Sequence, residues 1–384
     1  MSALRTLDRP LMALILLAIL AGMVVLGSAV ASGEWKLHGP GHGSAYLLRR
    51  LTQLAVGLAL MLVLALTDHR WLRRLAPAAG LLGLALLVAV LFTASVRGTR
   101  GWIGGFQAVD VARVGLLLLL AERLAARVSE ERPWRRFALP LGALALATGL
   151  VALQPDFGSA LALALCGGAV LLAAAPPRRW LLAGLLALVV AGASGYRLSD
   201  RIQRRVDLTY RASSLEETGE TYQLRQSLIG LGAGGLWGQG AARSRQKSFL
   251  PDHHTDFILA IAGEEFGLLG TLTLLGLLTA LALRALRLAA RQADPFACYL
   301  AAGVGATIFV YTTLNMAVAL GLFPLTGVPL PFVSHGGSAL VMHLAALGLV
   351  LSVTRARSAA RPARRRAAPR EDFLVENLFG GRGR

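Results

Sequence analysis

An all-α polytopic membrane protein of about ten transmembrane helices is the fold class this sequence predicts, on three observations. Hydrophobic residues make up 55% of the 384, and they fall in runs that repeatedly reach the roughly 20 residues needed to cross a bilayer. Arginines gather in every second connection between those runs. One connection is much longer than the rest, and one late stretch is too rich in proline and glycine to be a plain helix. Lipid offers backbone amides no partner, so the apolar runs are read as helices.

The candidate spans are 10–32, 46–67, 75–95, 108–128, 137–153, 157–175, 180–196, 256–283, 298–321 and 335–354. Arg5 and Arg9 precede the first, whose apolar run is too long for that of a cleaved signal, despite Ala29-Val30-Ala31, and is read as a retained span. His69, Arg70, Arg73 and Arg74 follow the second span, and Arg123 to Arg136 separate the fourth from the fifth. Arg178 and Arg179 lie between the sixth and seventh, and Arg284 to Arg291 between the eighth and ninth. This alternation predicts both termini in the cytoplasm. Residues 1–354 then form one transmembrane domain, with 197–255 a large extracytoplasmic loop and 355–384 a basic, flexible tail. The net charge of +18 follows the membrane pattern, so the tail is read as an anchor to anionic lipid and not as a nucleic-acid arm. Cys166 and Cys298 both fall in spans and imply neither a disulfide nor a metal site.

Charged groups inside spans are costly, so each needs a reason. Asp110 and Arg113 are three apart on one helix face, as a structural ion pair or as substrate ligands. Asp156 opens the sixth span, either as a helix-start acid or as a site residue. Glu264 and Glu265 are expected to make structural hydrogen bonds. Arg49 and Arg50 stand at the external end of span two, against the inside rule, and suit an anionic ligand or snorkelling. The segment 321–340 carries Pro324, Pro329, Pro331, Gly327, Gly336 and Gly337 and cannot continue a helix. Such backbone survives at membrane depth where it lines a cavity. Asp256 sits where the large loop enters span eight, and the adjacent His253 and His254 diverge too much to predict a zinc site.

The stretches FLPDHHTDFILAIAGEEFG, QPDFGSA, QSLIGLGAGGLWGQG and GVPLPFVSHGGSAL, with RRLTQLAVG and GTRGWIGG, resemble the SEDS proteins of bacterial shape, elongation, division and sporulation. The family's ten-helix topology matches the one read above. Its usual QPSE-x-x-K block is Gln107 to Arg113 here, with the acid and base kept and the proline and serine replaced. His335 stands where the family has a tyrosine.

The resemblance implies a peptidoglycan glycosyltransferase that polymerises lipid II outside the cytoplasmic membrane, beside a class B penicillin-binding transpeptidase and other elongation or division proteins. It implies Asp256 as the catalytic base, with Arg49, Asp110, Arg113, Asp156, Gln226, Lys247 and Ser334 binding substrate. Arginines or a divalent cation, Mg or Mn, would stabilise the departing diphosphate; no organic cofactor and no nucleic acid are expected. A lipid-linked precursor flippase is the alternative from another class.

Overall fold

A computed structural model of the chain describes residues 7–31, 42–93, 101–210, 219–248 and 256–360. Ten long helices occur at the predicted spans: α1 (Arg9–Ala31), α2 (His42–Leu66), α3 (His69–Ala89), α4 (Ala108–Ala126), α5 (Pro133–Ala152), α6 (Phe157–Ala173), α7 (Arg178–Leu198), α10 (Ile258–Ala290), α11 (Pro295–Ala319) and α12 (Gly337–Ala360). Eight of them are long and apolar enough to cross a membrane. The other two are α4, interrupted by Asp110, Arg113, Glu122 and Arg123, and α6, which has only 17 residues. The tail beyond Ala360, and His253 and His254, lie outside the described residues.

The bundle is centred on α11 and α12, which are buried over most of their length. Water gives apolar helices no reason to associate inside lipid, so close approach through small residues must do it. On α12, a Cβ at Gly348 would lie 2.5 Å from the Met61 carbonyl oxygen of α2. Between α3 and α4, a Cβ at Gly83 would lie 2.9 Å from the Ala112 Cα, and one at Gly115 would collide with the Ala79 carbonyl. By contrast α7 is exposed along its whole span and leans on little besides the helix that follows it.

A short hairpin delivers the chain into α4. Strands β1 (Trp102–Ile103) and β2 (Phe106–Gln107) pair antiparallel across Gly104 and Gly105, both at positive φ, as a two-residue turn requires. The Gly101 carbonyl accepts from Ala108 N at 2.9 Å, which fixes Gln107 at the helix start.

The expected loop of 197–255 is in large part ordered secondary structure. It contains α8 (Asp200–Tyr210) and α9 (Gly219–Ala233), then a glycine-rich tip. This tip is inserted beside α10. Gly267 breaks that helix at φ +67 and ψ −169, about three turns past Asp256. Four loop-to-helix backbone bonds bridge the break: Leu268 N to Gly235 O (2.8 Å), Leu269 N to Leu236 O (3.2 Å), Gln239 N to Glu264 O (2.9 Å) and Gly240 N to Glu265 O (3.0 Å). A side chain at Gly267 would collide with Gly238 N, so glycine is required for the approach as well as for the angle. Helix interruptions in lipid persist where protein groups supply the missing partners, and here the loop does so.

Candidate active site

Asp256 stands just outside α10, half-buried, and Phe257 behind it is the helix N-cap. Its position is set from α11. Asn315, buried in an apolar helix, uses its two amide hydrogens on the carbonyls of Asp256 (3.1 Å) and Val328 (3.0 Å). One side chain therefore fastens the start of α10 to the Pro/Gly-rich segment.

That segment is held from three more sides. Arg50, only 2% exposed, donates to the carbonyls of Ser334 (3.1 Å) and Phe332. Phe332 has a φ of +65, a strained angle for a bulky residue, and the guanidinium clamps its outward-turned carbonyl. Ser334 Oγ accepts from Leu330 N at 2.9 Å and closes the turn. On the far side, Gly158 at the start of α6 packs so closely on the Thr326 carbonyl that a Cβ there would collide with it. Gly337 similarly leaves room for the Gln53 amide, whereas a Cβ at Gly336 would meet Ala339 at a tighter but bearable 3.2 Å.

Asp156 caps α6 by accepting from Ser159 N at 3.1 Å, and its other oxygen accepts from Gln107 Nε2 at 3.3 Å. The QPDFGSA stretch and the altered Gln107 block thus meet at the same end of the bundle. One helical turn deeper, Arg113 lies 3.4 Å from Asp110, both buried. Ser338 Oγ donates to Asp110 at 2.8 Å, and the Arg113 guanidinium sits 4.4 Å from the Tyr311 ring centre. His343 packs edge-on to Tyr311 at 5.1 Å. The pair is buried where α4, α11 and α12 meet.

The remaining expected site residues are dispersed. Arg49 is exposed, and its neighbour Arg50 is the buried cation that holds the segment. Gln226 is half-buried on α9, beside Ser227, whose hydroxyl donates to the Ala319 carbonyl at 2.9 Å. Lys247 is fully buried: it pairs with Glu265 and donates to the Ser28 carbonyl at 2.6 Å. Glu265 also accepts from Ser28 Oγ, while Glu264 accepts from Ser244 Oγ, Arg245 N (2.9 Å) and Gln246 N (3.2 Å). The two glutamates therefore make the structural bonds expected of them, and they join α1, the loop and α10. Among the described residues no three His, Cys, Asp or Glu side chains come together as a ligand set.

Sequence reading missed Asn315 and Ser338. Asn315 had a legible signal, a lone amide in an apolar span. Arg50 was singled out together with Arg49, but which of two adjacent arginines turns inward depends on packing.

The two arginines predict contrasting variants. Arg50→Ala strips two carbonyls of a charged donor, each bond being worth about 1.5–3 kcal/mol. Its thermal unfolding in detergent should fall clearly below that of Arg49→Ala, which should match the unsubstituted chain. Equal unfolding temperatures would show that the clamp contributes nothing.

Comparison with known proteins places the chain in a family. Residues 8–359 match the family model FtsW/RodA/SpoVE, described as cell cycle protein. The chain is 34% identical over 356 residues to the peptidoglycan glycosyltransferase MrdB of Escherichia coli K12, covering 90% of this chain and 92% of that one. It is 39% identical over 365 residues to the probable peptidoglycan glycosyltransferase FtsW of Alkalilimnicola ehrlichii, covering 91% and 89%. Among solved structures, the rod shape determining protein RodA of Thermus thermophilus superposes with a TM-score of 0.67 at 32% identity, covering 91% and 97%. A chain from a peptidoglycan synthase complex, solved for the coordination of polymerization and crosslinking, gives 0.74 at 30% identity, covering 91% and 98%. The chain is a multi-pass helical membrane protein and belongs to the FtsW/RodA/SpoVE family of cell cycle proteins.

Proposed function

We propose that this protein is a peptidoglycan glycosyltransferase that polymerises lipid II at the outer face of the cytoplasmic membrane, with Asp256 as general base. The observation that carries the reading is the half-exposed Asp256, held by Asn315 against the Pro/Gly-rich segment. Its carboxylate takes the proton of the acceptor's 4-hydroxyl as that oxygen attacks the donor's anomeric carbon. The bond from that carbon to the diphosphate breaks, and its electron pair leaves with undecaprenyl diphosphate. A diphosphate is already a good leaving group, so no general acid is required.

Three features support transfer over transport. Lys247 and Glu265 form a fully buried pair, where a flippase needs charges along a path. Among the relatives, MrdB is named a peptidoglycan glycosyltransferase and the FtsW of Alkalilimnicola ehrlichii a probable one. A structural relative comes from a complex that also crosslinks, which supports a class B penicillin-binding transpeptidase as partner. The test is reconstitution of the purified protein in liposomes with labelled lipid II. Lysozyme-sensitive polymer is expected; flipped but unpolymerised lipid II would overturn the reading.

Orientation is tested separately. A cysteine at Arg204, exposed on α8, should react with a membrane-impermeant thiol reagent in intact cells. A cysteine at Arg74, exposed on α3, should react only after lysis. The reverse pattern would invert the protein and remove Asp256 from the outer face.

A further inference from the structure

A buried polar atom without a partner is costly, and native interiors hold few of them. Around one ring at the centre of this bundle, three side chains carry such atoms. Arg113 of α4 is 1% exposed, and neither Nη1 nor Nη2 has a hydrogen-bond partner among the described residues. Its approach to Asp110 at 3.4 Å brings opposite charges together without completing a hydrogen bond. His343 of α12 is 2% exposed, and its Nε2 also lacks a partner among the described residues. Asn315 of α11 spends both amide hydrogens on the Asp256 and Val328 carbonyls, which leaves its buried Oδ1 in the same condition.

The chemistry of these atoms is complementary. The Ala339 carbonyl can only accept, so His343 Nδ1 carries the ring hydrogen and donates to it at 2.6 Å. The neutral ring then presents Nε2 as a bare acceptor. Asn315 Oδ1 is a second acceptor, while a guanidinium can only donate. Tyr311 sets their placement. Arg113 lies over its ring at 4.4 Å, and His343 meets it edge-on at 5.1 Å, with Phe332 5.9 Å away on another side of the imidazole. Asn315 follows Tyr311 by four residues on the same face of α11. Donors and acceptors thus share one aromatic neighbour without touching each other, a separation that about one or two water molecules span.

We infer that α4, α11 and α12 enclose a hydration site, where ordered water accepts from Arg113 and donates to His343 Nε2 and Asn315 Oδ1. Buried water needs about two to four polar partners, and these side chains supply them. His343 is then a positioning residue and not an apolar filler. Through the water it holds the Arg113 guanidinium across Tyr311. Through the same water, the orientation of Arg113 is felt at Asn315, the side chain that fastens Asp256. The site joins the ion pair of α4 to the candidate base. Only this last link rests on the transferase reading above.

The test uses the full chain purified in detergent. His343→Leu removes the acceptor but keeps an apolar side chain against Tyr311 and Phe332, and should lower the unfolding temperature by a few degrees. His343→Gln, whose amide oxygen can accept, should restore most of the loss. A leucine variant as stable as the unsubstituted chain, with glutamine the worse of the two, would make His343 a packing residue and overturn the site. In an Arg113→Met background the effect of His343→Leu should nearly vanish, and an undiminished effect would show that the two side chains share no water. Should Arg113→Met fail to accumulate, histidine labelled with ¹⁵N decides the matter. The ring signals missing from the His343→Gln spectrum belong to His343, and they should show a protonated Nδ1 and a hydrogen-bonded Nε2 that shifts in Arg113→Lys. An Nε2 signal typical of a free acceptor would overturn the site. In the polymerisation assay His343→Leu should lower kcat about 10-fold or more with KM little changed, as displacement of a catalytic group does, and His343→Gln should recover it. Normal polymerisation by a destabilised His343→Leu protein would leave the water standing and remove its link to Asp256. An unsubstituted chain that makes no polymer would remove the transferase reading, and the thermal and spectroscopic results would still decide the site.

Discussion

Asp256→Asn is expected to leave a folded protein that makes almost no glycan polymer. General-base assistance is commonly worth about 10²–10⁴-fold in rate, and the amide has no basic oxygen to offer. Two backbone features of the site survive this substitution. The Asn315 staple holds Asp256 by its backbone carbonyl, which survives the change. The N-cap of α10 is Phe257, so the carboxylate of Asp256 is not the cap that asparagine would replace. Unfolding temperature in detergent should therefore be unchanged while initial polymerisation rate collapses. Near-normal chain synthesis by pure Asp256→Asn protein would remove Asp256 from the chemistry.

Lys247→Ala is expected to have the largest effect on stability. The lysine is 1% exposed and its partner Glu265 is wholly buried. Removing one member of a buried pair strands the other charge and typically costs about 3–5 kcal/mol. Lys247→Met combined with Glu265→Gln removes both charges and should recover much of that loss in thermal unfolding. The same pair of variants decides what the lysine is for. As a structural lock, the double variant should polymerise at a normal rate per folded molecule. As a substrate ligand, it should regain stability and stay inactive.

Much of the fold was legible because lipid imposes a length rule. The start of α4 at Ala108 and of α6 at Phe157 agree with the apolar runs that begin at 108 and 157 in the sequence, the second marked by Asp156. The region 197–255 was not legible in the same way. Its helices α8 and α9 are short, and the tip beside Gly267 lacks regular periodicity because its hydrogen bonds go to another element. The site divided along a similar line. Asp256 and Asp156 announce themselves as acids at helix starts. Arg50 against Arg49, and the burial of Lys247 beside Glu265, depend on contacts across the bundle. Arg50 bonds to Ser334, 284 residues away, and Lys247 to Ser28, 219 residues away. No local pattern encodes partners at that separation.

The inserted tip beside Gly267 also bears on how the chain is assembled in a cell. Ribosomes deliver α1 first, the loop much later and α10 just after it. A helix bearing Glu264 and Glu265 near its upper third is a poor candidate for leaving the translocon on its own, since a carboxylate at a span's centre costs about 2.5–3.5 kcal/mol. The groups that neutralise and solvate those acids, Lys247 and the amides of Ser244 to Gln246, precede α10 in the chain and have by then already been synthesised. Ser28, made 237 residues before Glu265, waits at the end of α1 to complete the set. Insertion of α10 is thus a docking event onto earlier parts of the same chain. Defects in the loop should accordingly surface as failed biogenesis before they surface as failed catalysis.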